Sequence, residues 1–274
     1  MGLRVNTNVS SVNAQRNLTN TTMRMQRSLE RLSSGLRITR AADDAAGLAI
    51  SEKFRAEIRG LSQAQRNAND GISLLQVAEG ALNETSGIMI RLRELAVQSA
   101  NGTLGTSERN ALDKEFGDLV TEVSRIANVT KFNGTAMLND SSISITFQVG
   151  VNNTTDDQIA VTGVNATASG LGLSGVSVAT LTQAQSALAI LDSAISQVAT
   201  LRASFGTAQN RLESTIRSLA VSIENATAAE SRIRDVDVAS ETAELTRNQV
   251  LQQAGISVLA QANTSSQSVL RLLQ

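Results

Sequence analysis

The sequence contains no proline, cysteine, histidine, tryptophan or tyrosine. Proline makes up about 5% of ordinary chains. Its absence from 274 residues removes the residue that most strongly breaks helices and points to long, uninterrupted ones. Without cysteine there are no disulfides and no thiolate chemistry, which fits either the cytosol or a secreted protein stabilised by other means. Lacking both histidine and cysteine, the chain has neither the commonest general base nor the best nucleophile. Its three lysines, Lys53, Lys114 and Lys131, stand in no Ser-x-x-Lys arrangement. Aromatic residues are only 2% of the chain, so any core is built of Leu, Ile, Val and Ala, which favour thin helical seams. With 24 basic against 25 acidic residues, the charge balance argues against a general nucleic-acid binder. The opening MGLRVNTNVSSVNAQRNLTN has no apolar run that could serve as the core of a cleaved signal peptide. No stretch approaches the roughly 18 apolar residues of a membrane span, so membrane insertion is not expected.

What is present is periodic. From Leu181, steps of 3 and 4 pass through Ala184, Leu188, Leu191, Ile195, Val198, Arg202, Phe205, Gln209, Leu212, Ile216, Leu219, Ile223, Ala226, Glu230 and Ile233, one unbroken heptad frame. Such spacing keeps one stripe of a helix turned toward a partner helix. Ile58, Leu61, Gln65, Ala68, Ile72, Leu75, Glu79, Leu82, Ser86 and Met89 repeat the frame, and a shorter copy (Leu112, Phe116, Leu119, Val123, Ile126) follows the glycine-containing break at residues 101–105. Three matching stripes predict a helical bundle with a narrow aliphatic core. Both ends read as helices too, through Leu18, Thr22, Met25, Leu29, Leu32 and Leu36, and through Leu251, Ala254, Val258, Ala262, Ser265, Val269 and Leu272. Small and hydroxyl residues interrupt these terminal stripes, so each is expected to depend on packing for its order.

The middle changes character. Ile143, Ile145, Phe147 and Val149 alternate at period 2, turn residues follow, and Ile159 and Val161 alternate again, which predicts a small β-hairpin. The expected fold is mainly α: a terminal coiled-coil pair and a helical-bundle domain carrying the hairpin. Residues 1–40 form the N-terminal part of the terminal pair with its linker, and 41–180 the first part of the bundle, with the hairpin region at 141–180. Residues 181–235 form the long bundle helix, and 236–274 the returning terminal helix.

Candidate chemistry is sparse. Asp43 and Asp44 are adjacent; they could hold a metal, but side by side on a helix they diverge, and Asp also suits a helix start. Arg4, Arg16, Arg24, Arg27, Arg31, Arg37 and Arg40 face only Glu30 in the first forty residues. With no aromatics for base stacking, this excess reads as a solvated helix face or as a surface meeting acidic neighbours in an assembly. No catalytic, cofactor-binding or metal-binding residues are assigned.

Specific strings go further. SLERLSSGLRITRAADDAAGLAISEKFRAEIRGL (Ser28 to Leu61), RLRELAVQSANGT (Arg91 to Thr103), FNGTAML (Phe132 to Leu138) and NQVLQQAGISVLAQANTSSQSVLRLL (Asn248 to Leu273) resemble bacterial flagellin over roughly residues 1–140 and 180–274. The resemblance implies a non-enzymatic subunit that polymerises into the extracellular flagellar filament for swimming motility. It also implies export by the flagellar secretion system without a cleaved signal peptide. Implied partners are further copies of the chain, hook-associated and filament-cap proteins, and a flagellar export chaperone. Under this resemblance Leu18, Met25, Leu29, Leu32, Leu251, Val258, Val269 and Leu272 are the expected self-assembly residues of the terminal helices. Flagellins seen by a vertebrate Toll-like receptor carry an Arg, Leu and Gln in the RELAVQ helix and a Glu on the next helix. The matching positions are Arg91, Leu95, Gln98 and Glu115, with Ile90 where recognised members often have Gln. Ser266 and Arg234 also depart from common family residues. A hook–filament junction protein is the nearest alternative; a secreted adhesin would need a binding domain that the short centre does not supply.

Overall fold

The computed structural model describes residues 8–272, with side chains described as far as Thr264. Five helices carry the chain: α1 (Val9–Ser34), α2 (Ala45–Ser99), α3 (Thr106–Val129), α4 (Leu181–Arg234) and α5 (Val238–Leu272). Between α3 and α4 lie β1 (Lys131–Phe132), β2 (Thr135–Ala136), β3 (Ser144–Gln148) and β4 (Gln158–Thr162). The strands form two separate antiparallel pairs, β1 with β2 and β3 with β4. No described helix is long and apolar enough to cross a membrane.

Helix starts follow local side-chain chemistry. Asn8 Oδ1 accepts from the Ser11 N–H to open α1, and Asp44 Oδ1 accepts from Gly47 N–H at the head of α2. Thr180 Oγ1 accepts from Gln183 N–H and donates to Gln183 Oε1 before α4, while Asp237 Oδ1 accepts from Ala239 and Ser240 before α5. Each satisfies backbone donors that the first turn leaves without partners. Both adjacent aspartates are thereby accounted for: Asp44 caps α2, and Asp43 accepts from the Thr39 hydroxyl and from the Thr39 and Arg40 amides. Gly35, in the left-handed conformation at φ 71°, closes α1.

The chain divides into two compact units, Met1–Ala56 with Asn225–Gln274, and Glu57–Glu224. The divisions fall inside α2 and α4, whereas the sequence reading set its boundaries at residues 40, 180 and 235.

The 57–224 unit holds the larger core. Every second member of the α2 frame (Leu61, Ala68, Leu75, Leu82, Met89) is buried, as are Phe116 and Val123 of α3 and Leu191, Val198, Phe205 and Leu212 of α4. In the β3–β4 ladder Ile145 pairs with Val161 and Phe147 with Ile159. Its inner face joins the same cluster as Leu75, Leu82, Phe205 and Leu212. Gly71 makes room for it: a Cβ there would lie 3.1 Å from Leu212 and 3.3 Å from the Phe147 ring.

Two features were not read from the sequence. The short β1–β2 hairpin turns on Asn133 (φ 48°) and Gly134 (φ 82°), the residue pair that a tight hairpin turn prefers. Residues 163–180, the part of the hairpin region that follows β4, bury Leu171, Leu173 and Val178 against α2, α3 and α4. Asp113 Oδ1 fastens this segment by accepting from Ser177 Oγ and from the Val178 amide.

Candidate self-assembly surface

The other unit is organised around α1 and α5, which lie antiparallel and close together. Asn8 Nδ2 donates to Ala262 O at one end (2.9 Å), and Arg31 meets Glu241 at the other (3.5 Å). Buried and half-buried positions trace the seam in heptad steps: Ser11, Ala14, Leu18, Thr21, Met25, Ser28 and Leu32 on α1, and Glu241, Leu245, Asn248, Gln252, Gly255, Leu259 and Ala262 on α5. About half are small, and the two backbones approach closely where Gly255 meets Leu18. A Cβ on Gly255 would lie 3.4 Å from Leu18 Cδ1.

This seam differs from the expected one on α5. Of the apolar stripe counted on α5, only Ala262 faces α1 among those with described side chains. Leu251 and Val258, one heptad apart, are 49% and 59% exposed, and Ala254 is exposed with them. The cause lies in the sequence of α5, which carries two stripes. Leu251, Ala254 and Val258 face outward, and the stripe of Leu245, Asn248, Gln252, Gly255 and Leu259 closes the pair, with the nearest backbone approach at Gly255. On α1, Leu18, Met25 and Leu32 sit on the seam, while Leu29 is 48% exposed. Val9, Val12 and Met23 are also exposed. Val269 and Leu272 belong to α5, but their side chains lie outside the described residues, as does that of Ser266. The paired helices thus leave apolar side chains turned outward along their length.

Charge around the connectors is well paired. Arg40 meets Glu30 and Arg234 meets Glu52 at 2.8 and 2.9 Å. Hydrogen bonds from Arg55 and Arg234 hold the Glu52 carboxyl below its ordinary pKa. Burial opposes ionisation of Asp43, but the bonds from Thr39 and Arg40 outweigh it and its pKa is also lowered.

The second set of expected residues lies in the 57–224 unit. Arg91 bridges Glu115 on α3 at 2.8 Å and Glu94 on its own helix at 3.0 Å, and the bond to Glu115 raises the guanidinium pKa above its usual value. Gln98 and Ile90 are exposed beside them. Leu95 is not: it is 0% accessible and supports this face from beneath. Three of the four residues therefore share a surface, and the fourth belongs to the core. Among the described residues, no cluster of three or more His, Cys, Asp or Glu could hold a metal ion.

The comparisons with known proteins agree with this geometry. Residues 5–142 match the model of the bacterial flagellin N-terminal helical region, and residues 188–273 match that of the C-terminal helical region. The chain belongs to the bacterial flagellin family. It is 48% identical over 270 residues to a flagellin of Halalkalibacterium halodurans, covering 98% of this chain and 99% of that one. It is 45% identical over 286 residues to a flagellar filament 33 kDa core protein of Treponema phagedenis, covering 98% and 99%. The crystal structure of Bacillus cereus flagellin aligns with 56% of this chain and 88% of its own, at 31% identity and a TM-score of 0.51. Family membership makes the chain a structural subunit of the flagellar filament, a self-assembling polymer outside the cell that serves motility, and no catalytic activity is indicated.

Proposed function

We propose that the outward apolar residues of the terminal helices, Leu29 of α1 and Leu251 and Val258 of α5, are contacts between copies of the chain in the filament. Val9, Val12 and Met23 are exposed on another side of α1 and offer a second apolar strip to neighbouring copies. The observation that carries this reading is a helix pair already closed on itself that still leaves these side chains in water. Heterologous contacts whose rotation does not close produce an open helical polymer. Leu18, Met25 and Leu32 act one step back, by holding the pair together.

Marginal pairing through small and hydroxyl residues also suits a chain that passes a narrow channel before it folds. The proposed route is the flagellar secretion system, without signal cleavage, with an export chaperone before passage and with hook-associated and cap proteins as neighbours afterwards. Arg91, Gln98 and Glu115, supported by Leu95, form the proposed face for a Toll-like receptor. An Arg91→Ala variant that kept its helix content but signalled undiminished through the receptor would remove that assignment.

Electron microscopy of purified protein seeded with short filament fragments, beside a deletion of residues 1–35, tests the assembly reading. Uniform tubes from the full chain, lost on deletion, are expected. A full-length chain that stays monomeric under every seeding condition overturns the bulk-filament role and favours the hook–filament junction.

A further inference from the structure

The tripeptide Asn-Gly-Thr occurs twice, at 101–103 and at 133–135. In each, the glycine has no side chain to keep its own peptide nitrogen away from the asparagine carboxamide. When that nitrogen gives up its proton and bonds to the asparagine Cγ, the side-chain amino group leaves as ammonia and a succinimide ring closes. Water then opens the ring. Opening at Cγ yields aspartate, and opening at the main-chain carbonyl yields isoaspartate. The glycine proton departs with the ammonia and one water is consumed, so no oxidant or other reactant is needed. The two sites share this intrinsic chemistry and differ only in their surroundings.

Asn101 lies just past the end of α2, exposed together with Gly102 and Thr103. A Cβ on Gly102 would meet nothing within 4 Å, so no neighbour shields its amide. Thr103 N–H donates to Asn101 Oδ1 at 3.3 Å. That turn folds the carboxamide back over the Gly102 peptide and sets a donor on the oxygen that gains charge when Cγ is attacked. Arg109 of α3 supplies another donor: its Nη2 reaches Asn101 O at 2.9 Å, while its Nε holds Ser99 O at 3.0 Å. The Leu104 amide joins it on Asn101 O at 3.3 Å. Asn101 O belongs to the same peptide unit as the Gly102 nitrogen, and it takes up negative charge once that nitrogen loses its proton. The guanidinium thus stabilises the nucleophile, and the Thr103 amide stabilises the tetrahedral centre that the attack creates.

At Asn133 the same three residues are held differently. Phe132 pairs with Thr135 across the turn, fixing Asn133 at φ 48° and Gly134 at φ 82°. The Gly134 nitrogen reaches Cγ only by rotation about the Asn133 Cα–C bond, which the pairing on both sides resists. Met137 and Leu138, buried directly beyond, anchor the hairpin. Among the described residues, no side chain donates to Asn133.

We infer that Asn101-Gly102 is a self-modification site, converting to aspartate and isoaspartate with Arg109 as its activating group, and that Asn133-Gly134 is its protected counterpart. The product adds a negative charge beside Arg109 and, as isoaspartate, an extra main-chain carbon in the loop that turns α2 into α3.

The full-length protein is aged in mildly alkaline buffer, folded and in denaturant, then digested at mildly acid pH and mapped for aspartate and isoaspartate at both positions. Denatured, the two sites should convert at the same rate. Folded, Asn101 should convert about ten-fold or more faster than Asn133 and no slower than in denaturant. Arg109→Gln should slow Asn101 about three- to ten-fold, and Arg109→Lys should recover part of that loss. Asn133 in the same sample reports folding, because an unfolded variant would raise it to the denatured rate; the Arg109→Lys chain then decides. Equal rates at the two sites of the folded parent overturn the proposal. So does a folded Arg109→Gln chain whose Asn101 converts as fast as the parent's or faster, the sign expected if Arg109 merely restrains the loop.

Discussion

Replacing Leu251 and Val258 together by alanine should separate assembly from folding. The two side chains are 49% and 59% exposed in the isolated chain, so roughly half of their burial remains to be gained on polymerisation. Fully burying such a side chain contributes about 1.5–3 kcal/mol, so the half still available is about 0.75–1.5 kcal/mol each, or roughly 1.5–3 kcal/mol for the pair. At about 1.4 kcal/mol per factor of ten, the double variant should need a monomer concentration some 10- to 100-fold higher before seeded filaments elongate. Exposed substitutions away from caps and cores usually change stability by less than about 0.5 kcal/mol, and alanine is the better helix former than valine. The monomer should therefore keep its far-UV spectrum and its unfolding midpoint. Sedimentation of filaments over a range of subunit concentrations gives the critical value, and thermal melting of the unseeded chain gives the control. An unchanged critical concentration would refute the reasoning. So would a loss of monomer stability large enough to account for the loss of assembly.

Other substitutions probe the remaining elements. Leu191→Ala, at a fully buried position of α4, should lower the unfolding free energy by about 2–5 kcal/mol in denaturant titration; a cost below 1 kcal/mol would mean that the bundle core closes over the gap. Gly134→Ala places a side chain at φ 82° and should cost about 1 kcal/mol by the same assay, with Gly117→Ala, at an open helical site, neutral or stabilising. The pKa of Glu52 is lowered in the folded chain, so its contribution is complete above the ordinary carboxylate value of 4.5 and is lost as pH falls through the lower folded value. Below about pH 4.5 a Glu52→Gln variant should therefore converge on the parent in stability; a gap between them that widens on acidification would contradict this pairing.

The long frames of α2, α3 and α4 were legible because each of these helices buries a single stripe, and Leu75, Phe116 and Leu212 fall where heptad counting puts them. On α5 the stripe that meets α1 is not the Leu251–Val258 stripe counted from the sequence. There Leu251 and Val258 point away from the partner, and Leu245 and Leu259 of the contacting stripe are separated by Asn248, Gln252 and Gly255, which a hydrophobicity count passes over. Close approach of backbones rewards small size, not apolarity. The β3–β4 hairpin announced itself by alternation, but β1 and β2 have two residues each, too few for any period; only Asn133-Gly134 marked the turn. Segment 163–180 gave no periodic signal because its buried residues are chosen by the surfaces of three separate helices. For Leu95 the RELAVQ string gave the position but could not separate a surface role from a supporting one, which needs the depth at which the side chain sits.

The two partners of the terminal pair are far apart in the sequence, and this fixes the order in which a folding chain closes its contacts. Roughly 200 residues separate the end of α1 from the start of α5. Contacts of such sequence separation are the slowest to close. The 57–224 bundle has its own strand and helix partners and can form first. A copy interrupted anywhere before Val238 has no α5 with which to close the terminal pair. Closure of α1 on α5 therefore comes after the 57–224 bundle and requires the seam residues of α5 from Glu241 to Ala262.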